Sequence, residues 1–341
     1  MKALVYTAPG VLQLQERPVP EPGPGDVRIQ VRANGICGSD VQGYLGKTGR
    51  RIPPLVMGHE FSGQVDAVGA RASRFKPGDR VIAYPALTCG RCPDCQSGLQ
   101  HRCRYKTFLG AMSQDGSMAE FICLPEQLLL PLPAPVSYEV GALTEPLAVA
   151  WRAVCQAGDL AGKTVLIVGA GTIGLLALQA VRLKNPSLVL VSEISPARSE
   201  LARRLGADDV VNPDQTSLPA WLAGHGADAG IDVSIEAVGL SRTAAQALDA
   251  LKPGGTSVWI GNHQRQIECD MQRIVTRELT IRGTYIYSPA QFAQALGLLA
   301  DGKIQTDPLI SDRLCLAEGP EAFRFLASDP ENHLKVMLLN P

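Results

Sequence analysis

Four cysteines fall within fifteen residues, Cys89, Cys92, Cys95 and Cys103, in the spacing C-x2-C-x2-C-x7-C. Thiolates at that density can wrap one tetrahedral Zn²⁺. Gly90, Pro93 and Gly98 turn the backbone there, and Arg91, Arg102 and Arg104 can offset thiolate charge. The competing readings are four unrelated free thiols or two disulfides. Four protein ligands leave no open position, so the expected metal is structural. A second donor set is quieter: Cys37 in Cys37-Gly38-Ser39-Asp40, His59 and Glu60 after Gly58, and Glu145 in Glu145-Pro146-Leu147. Cysteine, histidine and glutamate together suit a zinc that keeps a position free for water or substrate. Taken singly, His59 reads as a satisfied polar group and Cys37 as core. Their coexistence with the quartet favours a catalytic metal.

The third chemical feature is Val165-Leu166-Ile167-Val168-Gly169-Ala170-Gly171-Thr172-Ile173-Gly174. This is a strand, then G-x-G-x-x-G, then a helix. Gly169 makes the tight turn, Gly171 lets a pyrophosphate approach the helix N-terminus at Thr172 and Ile173, and Gly174 lets helix and strand pack closely. A second strand ends in Glu193, nineteen residues after Gly174. A carboxylate at that distance is placed to accept hydrogen bonds from an adenosine ribose. It would also repel a 2′-phosphate, which favours NAD over NADP. Arg198 either packs on the adenine or ribose, or belongs to a solvated helix face.

These groups need elements to hold them. Up to about residue 150 the chain is rich in Gly and Pro with short β-type runs. Met1–Tyr6 reads as a strand, and Val27–Arg32 alternates with period two, as a half-buried strand does. Phe75–Val81 is a turn entering another strand. From about Trp151 strands alternate with helices: strand Thr164–Val168, helix Thr172–Lys184, strand Ser187–Val191, then a helix capped by Ser195 and stopped by Gly206. Val210–Val211, Ile231–Ile235, Ser257–Ile260 and Thr280–Arg282 continue the series, which implies a parallel sheet. The last stretch offers a helix at Pro289–Leu299 and a terminal strand at Lys335–Leu339.

The remaining composition bounds the function. At 341 residues two domains are expected. A net charge of −1 argues against nucleic acid or an anionic membrane as partner. Apolar runs are strand-length, too short to span a bilayer. The N-terminus lacks a signal-peptide layout, and nine cysteines then point to a reducing cytoplasm. Cys123, Cys155, Cys269 and Cys315 are expected to be small core residues.

The chain resembles the zinc-containing medium-chain dehydrogenases over essentially its whole length, and within them the polyol branch of sorbitol, galactitol-phosphate and threonine dehydrogenases. The resemblance rests on Cys37-Gly38-Ser39-Asp40, Gly58-His59-Glu60, the cysteine quartet, Asp115-Gly116-Ser117-Met118-Ala119-Glu120, Glu145-Pro146-Leu147 and the glycine fingerprint. It implies a GroES-like β domain at 1–148 and 286–341 carrying both zinc sites, and an inserted Rossmann domain at 149–285. It implies Cys37 and His59 as ligands of the catalytic zinc, Glu60 as third ligand, and Glu145 bound directly or through water. It implies reversible NAD-linked oxidation of a secondary alcohol, with Ser39 taking the alcohol proton. The histidine that ends the relay in relatives corresponds to Gln42, which cannot titrate. An Arg-Tyr pair of sorbitol-type relatives becomes Ile286-Tyr287, and Tyr285 is expected to flank the nicotinamide. Tyr44, Phe108, Met112 and Tyr285 are candidate walls of the substrate site, each with ordinary packing as the alternative. A polyol or sugar alcohol, possibly phosphorylated, is the expected substrate. A vicinal diol or a threonine-like hydroxy amino acid is the alternative, and a non-catalytic zinc- and nucleotide-binding protein is the reading of another class. A homodimer or homotetramer is expected.

Overall fold

The strand Asp26–Gly35 carries the architecture around the metal donors. Its burial alternates, turning Val27, Ile29 and Val31 inward. They pack with Phe61, Val65, Val81, Ala83, Leu109, Ile122, Leu124 and Leu129 in one core cluster. Each of these side chains other than Ala83 contributes about 1.5–3 kcal/mol when fully buried. The strand belongs to a seven-stranded sheet that runs Leu129–Pro131, Arg80–Ala83, Glu60–Val68, Asp26–Gly35, Lys335–Leu339, Ile310–Cys315, with Phe121–Pro125 also paired to Asp26–Gly35. Only the pairing of Ile310–Cys315 with Lys335–Leu339 is parallel within it. Register decides what meets at the end of Asp26–Gly35: Gly35 lies opposite Glu60 on one side and Met337 on the other.

The computed structural model describes residues 1–112, 114–329 and 331–341. Contacts within the chain define two units, Met1–Glu145 with Ser288–Pro341, and Pro146–Tyr287. In the first unit a second core gathers Leu4, Tyr6, Ile36, Tyr44, Met57, Phe323 and Val336. The helix Gly38–Tyr44 sits on it, and Tyr44 packs its ring 5.5 Å from that of Phe323. Tyr44 is thus a core residue and not a free wall for substrate.

The second unit is built on six parallel strands in the order Asp209–Val211, Leu188–Ser192, Thr164–Val168, Ile231–Glu236, Leu251–Trp259, Thr280–Gly283. That is the doubly wound order 3-2-1-4-5-6, whose connections reverse beside the first strand. Val165 to Val168 are buried throughout, as a strand covered on both faces must be. The helix Thr172–Arg182 buries Gly174 to Val181 against the sheet. Ser195 caps the helix Pro196–Arg204, accepting from the Arg198 amide at 3.4 Å. The parallel sheet is what the alternation of elements implied, and the α/β chain with a GroES-like unit and a Rossmann-type unit is what the resemblance implied.

Three scattered cysteines depart from expectation. Cys155, Cys269 and Cys315 are exposed, and Cys123 is half-buried. Apolar neighbours in sequence do not bury a residue on an alternating strand or an outward helix face: Ile310–Cys315 alternates and ends on an outward residue. Among the described residues no helix is long and apolar enough to cross a membrane.

Candidate active site and metal centres

The cysteine quartet folds into a loop with the short helix Pro93–Gln96 at its middle, capped by Cys92. All four sulfurs lie within 4.8 Å of one another. Cys103 Sγ is 3.6 Å and Cys95 Sγ 3.9 Å from Cys89 Sγ. These separations are far beyond a disulfide bond. They match the edge of a tetrahedron of sulfurs about 2.3 Å from a zinc, which is about 3.8 Å long. Backbone amides of Arg91 and Cys92 draw the Cys89 thiol down to about 6. The Cys95 amide acts in the same sense on Cys92, but desolvation and the neighbouring thiols outweigh it and push Cys92 up to about 11. Four sulfurs so close cannot all ionise without a cation, and a divalent ion would remove that conflict.

The second donor set is assembled from three elements. Cys37 is the N-cap residue of the helix Gly38–Tyr44, and its amide donates to Asp40 Oδ2 at 3.3 Å. His59 ends the loop before the strand Glu60–Val68, and Glu60 begins it. A sulfur, a ring nitrogen and a carboxylate oxygen of Cys37, His59 and Glu60 lie within 4.8 Å of one another. Desolvation, then Glu60 and Asp40, push the Cys37 thiol up to about 12. A bound cation reverses that penalty, because it favours the thiolate that ligates it. His59 Nδ1 is buried and 3.6 Å from Asp40 Oδ1, beyond hydrogen-bond length. With Nδ1 turned to a carboxylate, Nε2 is the ring nitrogen left for a metal. The donor set therefore fits a zinc. The Phe108 ring meets His59 edge-on, with centroids 5.1 Å apart. Met112 is exposed.

Glu145 stands apart from this trio. It lies in the first turn of the helix Thr144–Ala157, is buried, and acts electrostatically on Cys37 and Lys335. Among the described residues the set with ligand spacing is Cys37, His59 and Glu60, without it.

Three residues at this site went unassigned in the sequence. Lys335 is 3 % exposed, and its Nζ donates to Glu60 Oε2 at 2.6 Å and to Ile36 O at 3.0 Å. Burial works against its charge, but Glu60 and Cys37 outweigh burial and hold its pKa above the ordinary lysine value. The pair passes over Gly35, where a Cβ would collide with Glu60 Oε2 and lie 3.2 Å from Lys335 Cδ. Asp40, fully buried, faces both His59 and Arg51. Arg51 Nη2 donates to Asp40 Oδ1 at 2.7 Å and to Ser39 Oγ at 3.0 Å. Strand registry and a loop return create these meetings, and neither leaves a local sequence signal.

In the second unit Gly169 adopts φ +94°, and a Cβ on Gly174 would strike Gly169 O. Gly171 is the N-cap of Thr172–Arg182, has no side chain to cap it, and has open space where a Cβ would be. The amides of that helix start are thus accessible to an anion such as pyrophosphate. Glu193 is buried, with Oε2 accepting from Ala170 N at 2.7 Å and Oε1 from Ile194 N and Ser195 N, both at 2.8 Å. The carboxylate so ties the glycine turn to the end of the second strand. Arg198 follows Ser195 on the same helix start, and Tyr285 is 52 % exposed while Tyr287 is fully buried.

A GroES-like unit with a Cys-His-Glu donor trio, in one chain with a Rossmann-type unit and its glycine turn, defines a zinc-binding medium-chain dehydrogenase, and the chain belongs to that family. Residues 23–134 match the alcohol dehydrogenase GroES-like domain family, and residues 172–301 the zinc-binding dehydrogenase family. The chain is 33 % identical to an L-threonine 3-dehydrogenase of Rhizobium johnstonii, over 96 % of each chain. A zinc-binding dehydrogenase of Sinorhizobium meliloti 1021 bound to NADP superposes with a TM-score of 0.92 at 34 % identity, covering 99 % of both chains. Galactitol-1-phosphate dehydrogenase of Escherichia coli superposes with a TM-score of 0.93 at 30 % identity, covering 100 % of both. The protein is accordingly an NAD(P)-dependent oxidoreductase acting on CH–OH groups.

Proposed function

We propose that this dehydrogenase interconverts a secondary alcohol, a polyol or sugar alcohol, and its ketone, with NAD(H) as redox partner and two zinc ions per chain. The observation that carries this reading is the meeting of Cys37, His59 and Glu60 donor atoms within 4.8 Å. A zinc held there would lower the pKa of an alcohol hydroxyl, and NAD⁺ at the glycine turn would accept the hydride. Ser39, two residues beyond Cys37 and exposed, takes the alcohol proton. Lys335 balances the charge of Glu60 and Cys37, so the site does not accumulate unopposed anions. Glu145 adds a buried carboxylate beside the trio without being one of its three donors. Phe108 packs edge-on against the His59 ring. The quartet holds the second, structural zinc.

Likeness to galactitol-1-phosphate dehydrogenase supports the polyol reading. A second reading, a hydroxy amino acid such as threonine, is favoured by the threonine dehydrogenase relative. Initial rates of NADH formation over polyols, sugar phosphates, vicinal diols, threonine and simple alcohols separate them. The polyol reading requires the highest kcat/KM on a polyol or its phosphate. Threonine at the top would replace it, and no turnover on any alcohol would end both.

The buried Glu193 carboxylate supports NAD over NADP, because it would repel a 2′-phosphate bound beside it. Three of its roughly four acceptor positions are occupied by amides, leaving one for a ribose hydroxyl. Glu193→Ala should lower kcat/KM for NAD about tenfold or more and narrow the gap to NADP. Unchanged kcat/KM for both cofactors would remove Glu193 from cofactor choice.

A further inference from the structure

The Arg51 side chain is 6 % exposed, and one of its nitrogens, Nη2, serves two acceptors at once. It donates to Ser39 Oγ at 3.0 Å and to Asp40 Oδ1 at 2.7 Å. Asp40 Oδ1 is also the atom that faces His59 Nδ1. One guanidinium therefore touches both the hydroxyl beside the donor trio and the carboxylate behind its histidine. Room for it is built into the helix Gly38–Tyr44: a Cβ on Gly43 would lie 2.5 Å from Arg51 Cδ.

We propose that Arg51 is a positioning residue for alcohol oxidation: it fixes the Ser39 hydroxyl as a proton acceptor and holds Asp40 against the zinc-ligand histidine, His59. The Ser39 half rests on the proposed dehydrogenase reaction; the Asp40 half rests on the metal site alone. The argument is one of donor accounting. A guanidinium only donates, so the contact occupies a lone pair of Ser39 Oγ and turns the serine hydrogen away from Arg51. The remaining lone pair is then free for the alcohol proton, while the serine hydrogen points onward. As the alcohol proton arrives at Oγ, the serine proton leaves to solvent, and the hydroxyl ends neutral. Arg51 cannot accept that proton. Gln42, one turn further on the same helix, cannot titrate either, so the outgoing proton goes to water. Without Arg51 the hydroxyl rotates freely and spends part of its time donating toward the substrate oxygen, which is unproductive. Asp40 would also lose its fixed partner, and His59 the carboxylate held 3.6 Å from its Nδ1.

The test uses the full-length zinc-loaded protein and the alcohol with the highest turnover. Five variants are compared: Arg51→Met, Arg51→Lys, Gly43→Ala, Ser39→Ala, and Arg51→Met combined with Ser39→Ala. Arg51→Met should lower kcat about 10- to 100-fold with KM within about threefold. Arg51→Lys should recover part of that, because an ammonium can donate but lacks the planar fork. Gly43→Ala keeps every polar group, favours the helix, and should lower kcat in the same sense by crowding Arg51 aside. Ser39→Ala should lower kcat by about 10²-fold. In the Ser39→Ala background Arg51→Met should cost less than about threefold in kcat. Zinc release to a chromogenic chelator reads the Asp40 half without turnover: Arg51→Met should quicken loss of the first zinc about tenfold, and Ser39→Ala should not. Wild-type kcat in Arg51→Met or in Gly43→Ala, or an undiminished Arg51→Met effect on kcat in the Ser39→Ala background, overturns the Ser39 half. Wild-type zinc release in Arg51→Met overturns the Asp40 half. A wild-type protein that oxidises no alcohol overturns the proposed reaction and the Ser39 half with it, while zinc release still decides the rest.

Discussion

Lys335 is the residue whose burial most needs its partners. An isolated ammonium in that position would cost several kcal/mol, and the Glu60 carboxylate at 2.6 Å with the Ile36 carbonyl makes it tenable. Removing it leaves Glu60 next to the Cys37 sulfur with no cation opposite. Lys335→Met should therefore lower the stability of the metal-free protein by about 3–5 kcal/mol. Zinc should restore more in the variant than in the wild type, since the ion replaces the missing positive charge. Denaturant midpoints with and without zinc check both statements; a midpoint equal to that of the wild type without zinc would show that Lys335 does not balance the site. Residues such as Cys37, His59 and Glu60 are legible in the chain because each sits in a short, chemically distinctive string. Lys335 is not, because it meets Glu60 from 275 positions away through strand pairing. Arg51 comes from a loop with no motif, and the string around Asp40 does not show that His59 and Arg51 lie on either side of it. Glu145 shows the converse: its string is distinctive, yet spacing alone does not say whether it lies among the donors or beside them.

Elements turn those residues into geometry in two different ways. In the parallel-sheet unit the sequence carries the design openly. Buried strands are continuous apolar runs, Ser195 starts a helix, and Gly206 at φ +109° ends it. In the β unit the pieces are shorter. Leu55–Val56, Ala86–Leu87 and Thr107–Phe108 are two residues each, too brief to show alternation. The helix Thr144–Ala157, which presents Glu145 in its first turn, spans the change of texture near Trp151 and lacks a clear start signal in the sequence. The cysteine loop lies between the last two of those short strands, and little hydrophobic core holds it: Arg91, Pro93 and Gln96 are exposed, and Cys95 and Cys103 supply its buried side chains together with His101. Its shape must then depend on its metal. Cys92→Ser should lose one zinc per chain and lower Tm or weaken assembly before it alters the chemistry of the Cys37 site. A folded Cys92→Ser protein with unchanged Tm and abolished turnover would mean that the quartet belongs to the reaction.

At the scale of the whole molecule, both donor sets with metal-ligand spacing among the described residues fall in the unit Met1–Glu145 with Ser288–Pro341, and the glycine turn falls in Pro146–Tyr287. A near-neutral chain of 341 residues so divides its labour between one unit rich in short strands and one regular parallel sheet. The two donor sets differ in a way that would make metals bound there separable. The quartet offers four sulfurs and no vacancy, so a competing chelator must break a protein ligand before it can bind. The Cys37, His59 and Glu60 set offers three donors, so a chelator can enter at the open position and displace them in turn. Near neutral pH, dialysis against a chelator should remove one zinc first and abolish turnover, with the far-ultraviolet circular dichroism and Tm little changed. Loss of the second zinc should come later and bring a fall in Tm. Elemental analysis, activity and melting curves on the same samples follow the sequence. Added zinc should restore activity fully to the one-zinc protein and only partly to the zinc-free one, because the latter must refold its loop before the ion can be held. Loss of both zincs in one step, or unfolding with the first, would show that the two sites are energetically one.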